Sequence, residues 1–399
     1  MKWEKVKLGS VTDSCLGKML DQNKNKGDYQ PYLANVNVRW GEFDLEDLPL
    51  MKFEESEQER YELKYGDLVI CEGGEPGRCA IWKEQIPNMK IQKALHRVRV
   101  HDCLDYRYLF YWFLLAGKTG ELDQYFTGAT IKHMPGQKLK EVVMDKPPLE
   151  IQHRIADILS AYDDLIENNQ KQIKLLEEAA QRLYKEWFVD LRFPGHENTE
   201  IVDGVPEGWN WCKLEDAIQF DPKVTLTKER MKQFVPMSAL STASMVLDES
   251  QFTETSSNSG SKFQNGDTLL ARITPCLENG KTAYVSGLKS NEGAVGSTEY
   301  IVMRAKTINA YMVYLLARTD DFRQSAINSM SGSDGRQRVK SDKLKLLDYL
   351  HPTSELVEKF ENVAEPIFEK ICKLSKQMQQ AKQARDLLLP KLMSGEVEV

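Results

Sequence analysis

The sequence predicts an α+β protein made twice over: two tandem mixed α/β units, each continued by one long helix. Three observations predict it. After the break Lys146-Pro147-Pro148, the stretch from Ile151 to about Phe188 holds neither Gly nor Pro and favours helix. That stretch carries an apolar seam with a seven-residue period. The seam and the segments before it then recur 205 residues further on.

In the first helix, Leu159, Ile166, Ile173, Ala180 and Trp187 form one series, and Ile155, Tyr162, Asn169, Leu176 and Leu183 its companion. Apolar residues at alternating offsets of four and three are the pattern of a coiled-coil helix. Adding 205 gives Ala364, Ile371, Met378, Arg385 and Leu392, with Phe360, Ile367, Leu374, Ala381 and Leu388. Only Arg385 interrupts the apolar run. The seam alone also suits a plain helical hairpin. Asn169 at a seam position fixes register if it finds a polar partner. Its counterpart Leu374 is apolar, so that partner must be another group; the alternative is an Asn at the solvent edge.

The segments before the helices repeat as well. Trp3 to Leu8 aligns with Trp209 to Leu214, and Gly66-Asp67-Leu68 with Gly266-Asp267-Thr268, each a turn leading into a short apolar strand. Gly77-Arg78-Cys79-Ala80 aligns with Gly280-Lys281-Thr282-Ala283, and Tyr108 to Leu114 with Tyr311 to Leu316, a buried helix in each half. The expected division is 1–147 for the first unit, 148–190 for its helix, 191–350 for the linker and second unit, and 351–399 for the second helix and tail. Pro, Gly and Asn between Phe193 and Gly208 mark the linker. Thr253 to Ser261 reads as a mobile loop.

At about 150 residues per domain, 399 residues give two or three domains. No run of 18 or more uncharged apolar residues exists, and MKWEKVKLGS lacks the apolar stretch of a secretory signal, so a cytoplasmic protein with no membrane partner is expected. The net charge of -7 counts against a simple basic DNA-coating protein. Distribution matters more than the sum, because Ser331 to Lys345 carries five Lys/Arg against two Asp. The seven cysteines form no CxxC pair and read as reduced thiols.

Enzyme motifs fail one by one. Asn279-Gly280-Lys281-Thr282 ends like a phosphate-binding loop, but its first glycine would be Pro275, which has no amide hydrogen to offer. Glu72 to Gly77 is glycine-rich and acidic, which repels phosphate. Neither HExxH nor the deaminase pairing of H-x-E with PCxxC occurs, so no metal site is expected. Asp145-Lys146-Pro147-Pro148 resembles a methyltransferase motif interrupted by lysine and lacking its aromatic. Glu62-Leu63-Lys64 is a lone ExK. No catalytic residue is assigned.

DNA-binding chemistry fares better. Ser331 to Lys340 is a small-residue loop carrying Arg, Gln, Arg and Lys, and Thr127 to His133 holds the equivalent place in the first half. Glycines admit a phosphate chain, while Arg and Gln form paired bonds with guanine and adenine edges. The candidates are Lys24, Asn25, Lys26, Arg39, Arg78, Thr130, Lys132 and His133 in the first half, and Arg272, Lys281, Ser333, Arg336, Gln337, Arg338 and Lys340 in the second. Side chains of these types serve phosphates and base edges alike.

The Trp-x-x-x-Lys-Leu openings, the Gly-Asp strands and Ala271 to Lys281 resemble the target recognition domains of type I restriction-modification specificity subunits. Pro147-Pro148-Leu149-Glu150-Ile151-Gln152 with its helix, and the closing Leu387 to Glu396, are similar to that family's other segments. His351-Pro352-Thr353-Ser354-Glu355 departs from it, lacking the paired prolines and the glutamine. The resemblance implies a non-catalytic DNA-recognition subunit whose two domains each read half of a split site in double-stranded DNA. It implies long helices packed as an antiparallel coiled coil that spaces the domains. It also implies docking of two methyltransferase (modification) subunits and of restriction/translocase subunits. S-adenosylmethionine, ATP and Mg would then belong to partners, with no cofactor in this chain. A helix from Ile151 to Phe188 is roughly 55–60 Å long and a DNA turn about 34–36 Å, so the rod can act as a ruler. The rival readings are a single-chain methyltransferase or endonuclease, and a coiled-coil scaffold that binds no DNA.

Overall fold

The computed structural model describes residues 3–21, 25–227, 230–289, 293–332 and 335–399. It divides into two compact units, one of residues 1–165 with 380–399, the other of residues 166–379. Each unit therefore combines a globular part with segments of both long helices. The division departs from element order because each globular part buries its flank against both helices.

The long helices run over Leu149–Tyr184, ending in a π-helical turn at Lys185–Val189, and over Ser354–Met393. Ile155, Leu159, Ile166, Ile173, Ala180 and Trp187 are buried, as are Phe360, Ala364, Ile371, Leu374, Ala381 and Leu392. Tyr162, Leu176, Ile367, Met378 and Leu388 are half-buried. Phe368 and Leu389, one place beyond Ile367 and Leu388, are buried instead. A straight helix drifts against a seven-residue repeat, and globular neighbours cover a wider face than a two-helix seam does.

In the second unit the helix segments run antiparallel. Asn169 lies against Leu374, while Tyr184, Trp187 and Phe188, further along the first helix, meet Phe360, earlier on the second. Asn169 is buried, and its Nδ2 donates to the backbone carbonyl of Leu374 at 3.4 Å, long for such a bond. The partner is thus the counterpart residue after all, through its main chain. Arg385 does not break the seam in the first unit: its guanidinium pairs with Asp163, whose other oxygen accepts from Tyr111 Oη at 2.6 Å. Glu177 is a buried acid on the first helix. It accepts from Ser244 Oγ at 2.7 Å and from the Met245 N–H at 2.9 Å, while burial pushes its carboxyl up.

The globular parts share one plan. In the first unit, strands Thr12–Leu16, Leu95–Val100, Leu68–Cys71 and Cys79–Ile81 form an antiparallel sheet in that spatial order. In the second, Ile218–Phe220, Tyr300–Ala305, Thr268–Ala271 and Thr282–Tyr284 do the same. Each unit adds a smaller mixed sheet around Asp28–Leu33 or Lys232–Val235. Thr253–Thr255 is an edge strand of the latter, so only part of the expected loop is irregular. The first strand of each globular part closes on its last: Glu4–Lys7 pairs with Val143–Lys146, and Asn210–Lys213 with Asp348–His351.

The repeated Gly-Asp turns explain themselves. Gly66 and Gly266 take φ of 84° and 89°, where glycine has no Cβ to strain. The buried carboxylate that follows accepts a backbone N–H three residues back and clamps an arginine of the neighbouring strand. Asp67 takes Lys64 N and both Nε and Nη2 of Arg99; Asp267 takes Gln264 N and the same two nitrogens of Arg304. The buried helices Tyr106–Thr119 and Ala310–Ala317 begin at Asp105 and Asn309, whose side chains accept the first free amides. Gln152, fully buried, accepts from Asp105 N and donates to the carbonyls of Cys103 and Pro147, tying the long helix to that cap. The second unit lacks the glutamine and reverses the link: Asn309 Nδ2 donates to the carbonyl of Val357 at 3.0 Å. Thr353 Oγ1 caps the second long helix there, by accepting Leu356 N.

Candidate nucleic-acid interface

The two equivalent loops are built by the same backbone bonds. Thr127 and His133 exchange bonds of 2.7 and 2.9 Å; Ser331 and Arg338 exchange a pair at 3.0 Å. Each closes a short hairpin on the turn after the Gly-Asp strand, through the bridges Gly73–His133 and Ile273–Arg338. Met134 N donates to the Glu72 carbonyl and Val339 N to that of Arg272. Glu72 N and Arg272 N in turn donate to the carbonyls of Ala94 and Glu299. Two chain segments of different sequence thus hold their loops in one framework.

The side chains on this framework fall into two groups. Exposed and available are Thr130, Lys132 and His133 on the first hairpin, Arg336 on the second, Lys340 just beyond it, and Lys26 on the approach to Asp28–Leu33. Lys132 lies 3.5 Å from Asp123 and over the Phe126 ring, loose contacts that an incoming phosphate can replace. Gln337 is half-buried and its carbonyl accepts from Thr274 N.

The second group is engaged by partners within the chain. Asn25 Oδ1 accepts from Lys52 N. Arg39 bonds the Val36 and Val38 carbonyls and lies near Asp44. Arg78 pairs with Glu75 and donates to the carbonyl of Asn35; its counterpart Lys281 donates to that of Met237. Both cations brace the 3-10 turn that follows the smaller sheet's central strand. Expected at the DNA surface, these two have structural partners, because the turn behind them exposes carbonyls that need a donor. Arg338 makes three bonds of 2.6 to 3.0 Å to Glu299, and that guanidinium holds the Glu299 carboxyl below the usual range. Glu299 was not among the expected residues, since 39 residues separate it from Arg338. Arg272 is half-buried, and its Nε has no hydrogen-bond partner among the described residues. Lys24 and Ser333 lie outside the described residues.

Among the described residues, no group of three or more His, Cys, Asp or Glu is placed to hold a metal. No helix of the described residues is long and apolar enough to cross a membrane. Each unit therefore carries one copy of the loop framework with an exposed cation on it, Lys132 in the first and Arg336 in the second. Residues 1–178 match the family described as type I restriction modification DNA specificity domain. The chain is 29% identical over 344 residues to the type I restriction enzyme MjaIX specificity subunit of Methanocaldococcus jannaschii, covering 84% of this chain and 78% of that one. It is 36% identical over 143 residues to the EcoAI specificity subunit of Escherichia coli, covering 34% and 24%. The crystal structure of a type I restriction-modification S subunit from M. genitalium shares the fold, at TM-score 0.61 and 16% identity over 98% of this chain and 96% of that one. Residues 1–178 thus carry a type I restriction modification DNA specificity domain, and over most of its length the chain is similar to type I restriction enzyme specificity subunits. The matched domain and these relatives support a DNA-recognition role.

Proposed function

We propose that each globular part reads one half of a bipartite site in double-stranded DNA, with its hairpin and the adjoining turn at the base edges and phosphates. The observation that carries this reading is the repeated framework, one hairpin in each unit closed by the same backbone bonds. Thr130, Lys132, His133, Arg336, Gln337 and Lys340 are the contacts proposed at the two hairpins, with Lys26 beside the first. The long helices set the interval between half-sites and offer docking surface to two methyltransferase subunits. Restriction/translocase subunits complete the complex. S-adenosylmethionine, ATP and Mg act on those partners.

Three experiments test this. Arg336→Ala with Lys340→Ala should weaken binding to one half-site and flatten the salt dependence by about one unit of slope for each phosphate that goes unneutralised. Unchanged affinity at matched salt removes this hairpin from the interface. Methylome sequencing of cells with and without the gene should show a bipartite modified motif only when the gene is present. One heptad added to each long helix should lengthen the interval and leave both half-sites as they were. An unaltered interval sinks the ruler.

A further inference from the structure

The common framework carries opposite charges at matching places. Glu72 in the first unit and Arg272 in the second donate their amides to a neighbouring loop, 2.8 Å to Ala94 O and 3.0 Å to Glu299 O, and accept the amides of Met134 and Val339. The four bonds superimpose the two positions by connectivity. Beside them stand His133 and Arg338, each bridged to the residue that follows, Gly73 or Ile273. The first unit thus carries an acid where the second carries a guanidinium, and in the second both Arg338 and Arg272 act on the Glu299 carboxylate.

Hydrogen-bond chemistry separates these sets. A carboxylate accepts and cannot donate, so on a base edge it meets an exocyclic amine, N4 of cytosine or N6 of adenine. A guanidinium donates and cannot accept, and its fork fits O6 and N7 of guanine. Arg272 has a buried Nε with no acceptor among the described residues, whereas Arg338 is already oriented by Glu299. A half-buried guanidinium beside one held in place matches the paired acceptors of a guanine edge.

We propose that positions 72 and 272 determine base identity in the two half-sites: Glu72 selects an amine-bearing base, and Arg272, beside the Glu299-held Arg338, selects guanine. This rests on the DNA-reading function proposed above. It explains how one scaffold used twice reads two different half-sites, through side chains on a constant main chain.

The test uses the full chain, with the partner subunits that co-purify with it, in selection from a duplex library randomised across the bound region. Wild type should return a bipartite consensus with guanine at one position of one half-site and cytosine or adenine at the matching position of the other. Arg272→Gln should erase the guanine preference there by roughly 5- to 150-fold, the range for one paired base contact, and leave the other half-site intact. Glu72→Arg should move the first half-site towards guanine. If a variant melts early, Arg272→Lys serves instead, keeping the charge without the fork; it should bind with reduced discrimination. Folded variants that return the wild-type consensus overturn the assignment. A wild-type chain that returns no consensus overturns the DNA-reading function itself, a different outcome.

Discussion

Replacing Asp267 by Ala should destabilise the second unit by about 3 kcal/mol and lower its melting temperature by about 6–12 °C. The carboxylate is 1% exposed and accepts three bonds: Arg304 Nε at 2.6 Å, Arg304 Nη2 at 2.7 Å and Gln264 N at 2.8 Å. Truncation leaves a largely covered guanidinium and a turn amide with no acceptor. Breaking a buried pair from one side typically costs about 3–5 kcal/mol. Arg304 retains 22% exposure, so water recovers part of that and the lower end applies. Asp267→Asn, which keeps one acceptor, should lose less. Asp67 sits in the same geometry with Arg99, and Asp67→Ala should act alike on the first unit. A calorimetric loss below about 1 kcal/mol for both would mean that the clamps contribute little net stability.

Phe360→Ala should cost about 3–5 kcal/mol, read as a shift in denaturant midpoint. Phe360 is fully buried, with its ring 5.0 Å from Phe188, 5.5 Å from Trp187 and 6.1 Å from Tyr184, centroid to centroid. These contacts hold the antiparallel helix pair of the second unit where the first helix ends. Phe360→Leu, closer in volume, should recover most of the loss. If Ala and Leu prove equally mild, the aromatic cluster is not what joins the helices.

The candidate site is only partly legible in the chain. Equivalence of the two loops can be seen from the duplication, and the same backbone bonds recur in both units. The fate of individual cations cannot. Arg78 and Lys281 look like DNA ligands because both follow a glycine turn, yet each bonds a carbonyl reached only when the smaller sheet folds back. Arg338 stands out in the sequence as a candidate and Glu299 does not, since the pair forms across separate strands and turns.

What the sequence by itself determined is whatever repeats at short range or along the whole chain: the two long helices, their seam, the Gly-Asp turns and the duplication. Periodicity and turn chemistry are local forces, so they are written in neighbouring residues. Tertiary structure alone decided which polar groups meet. Gln152 and Asn309 make the same junction by opposite routes, and Asn169 finds the main chain of Leu374. A buried donor takes whichever acceptor the fold brings within about 3 Å, and no spacing in the chain encodes that distance.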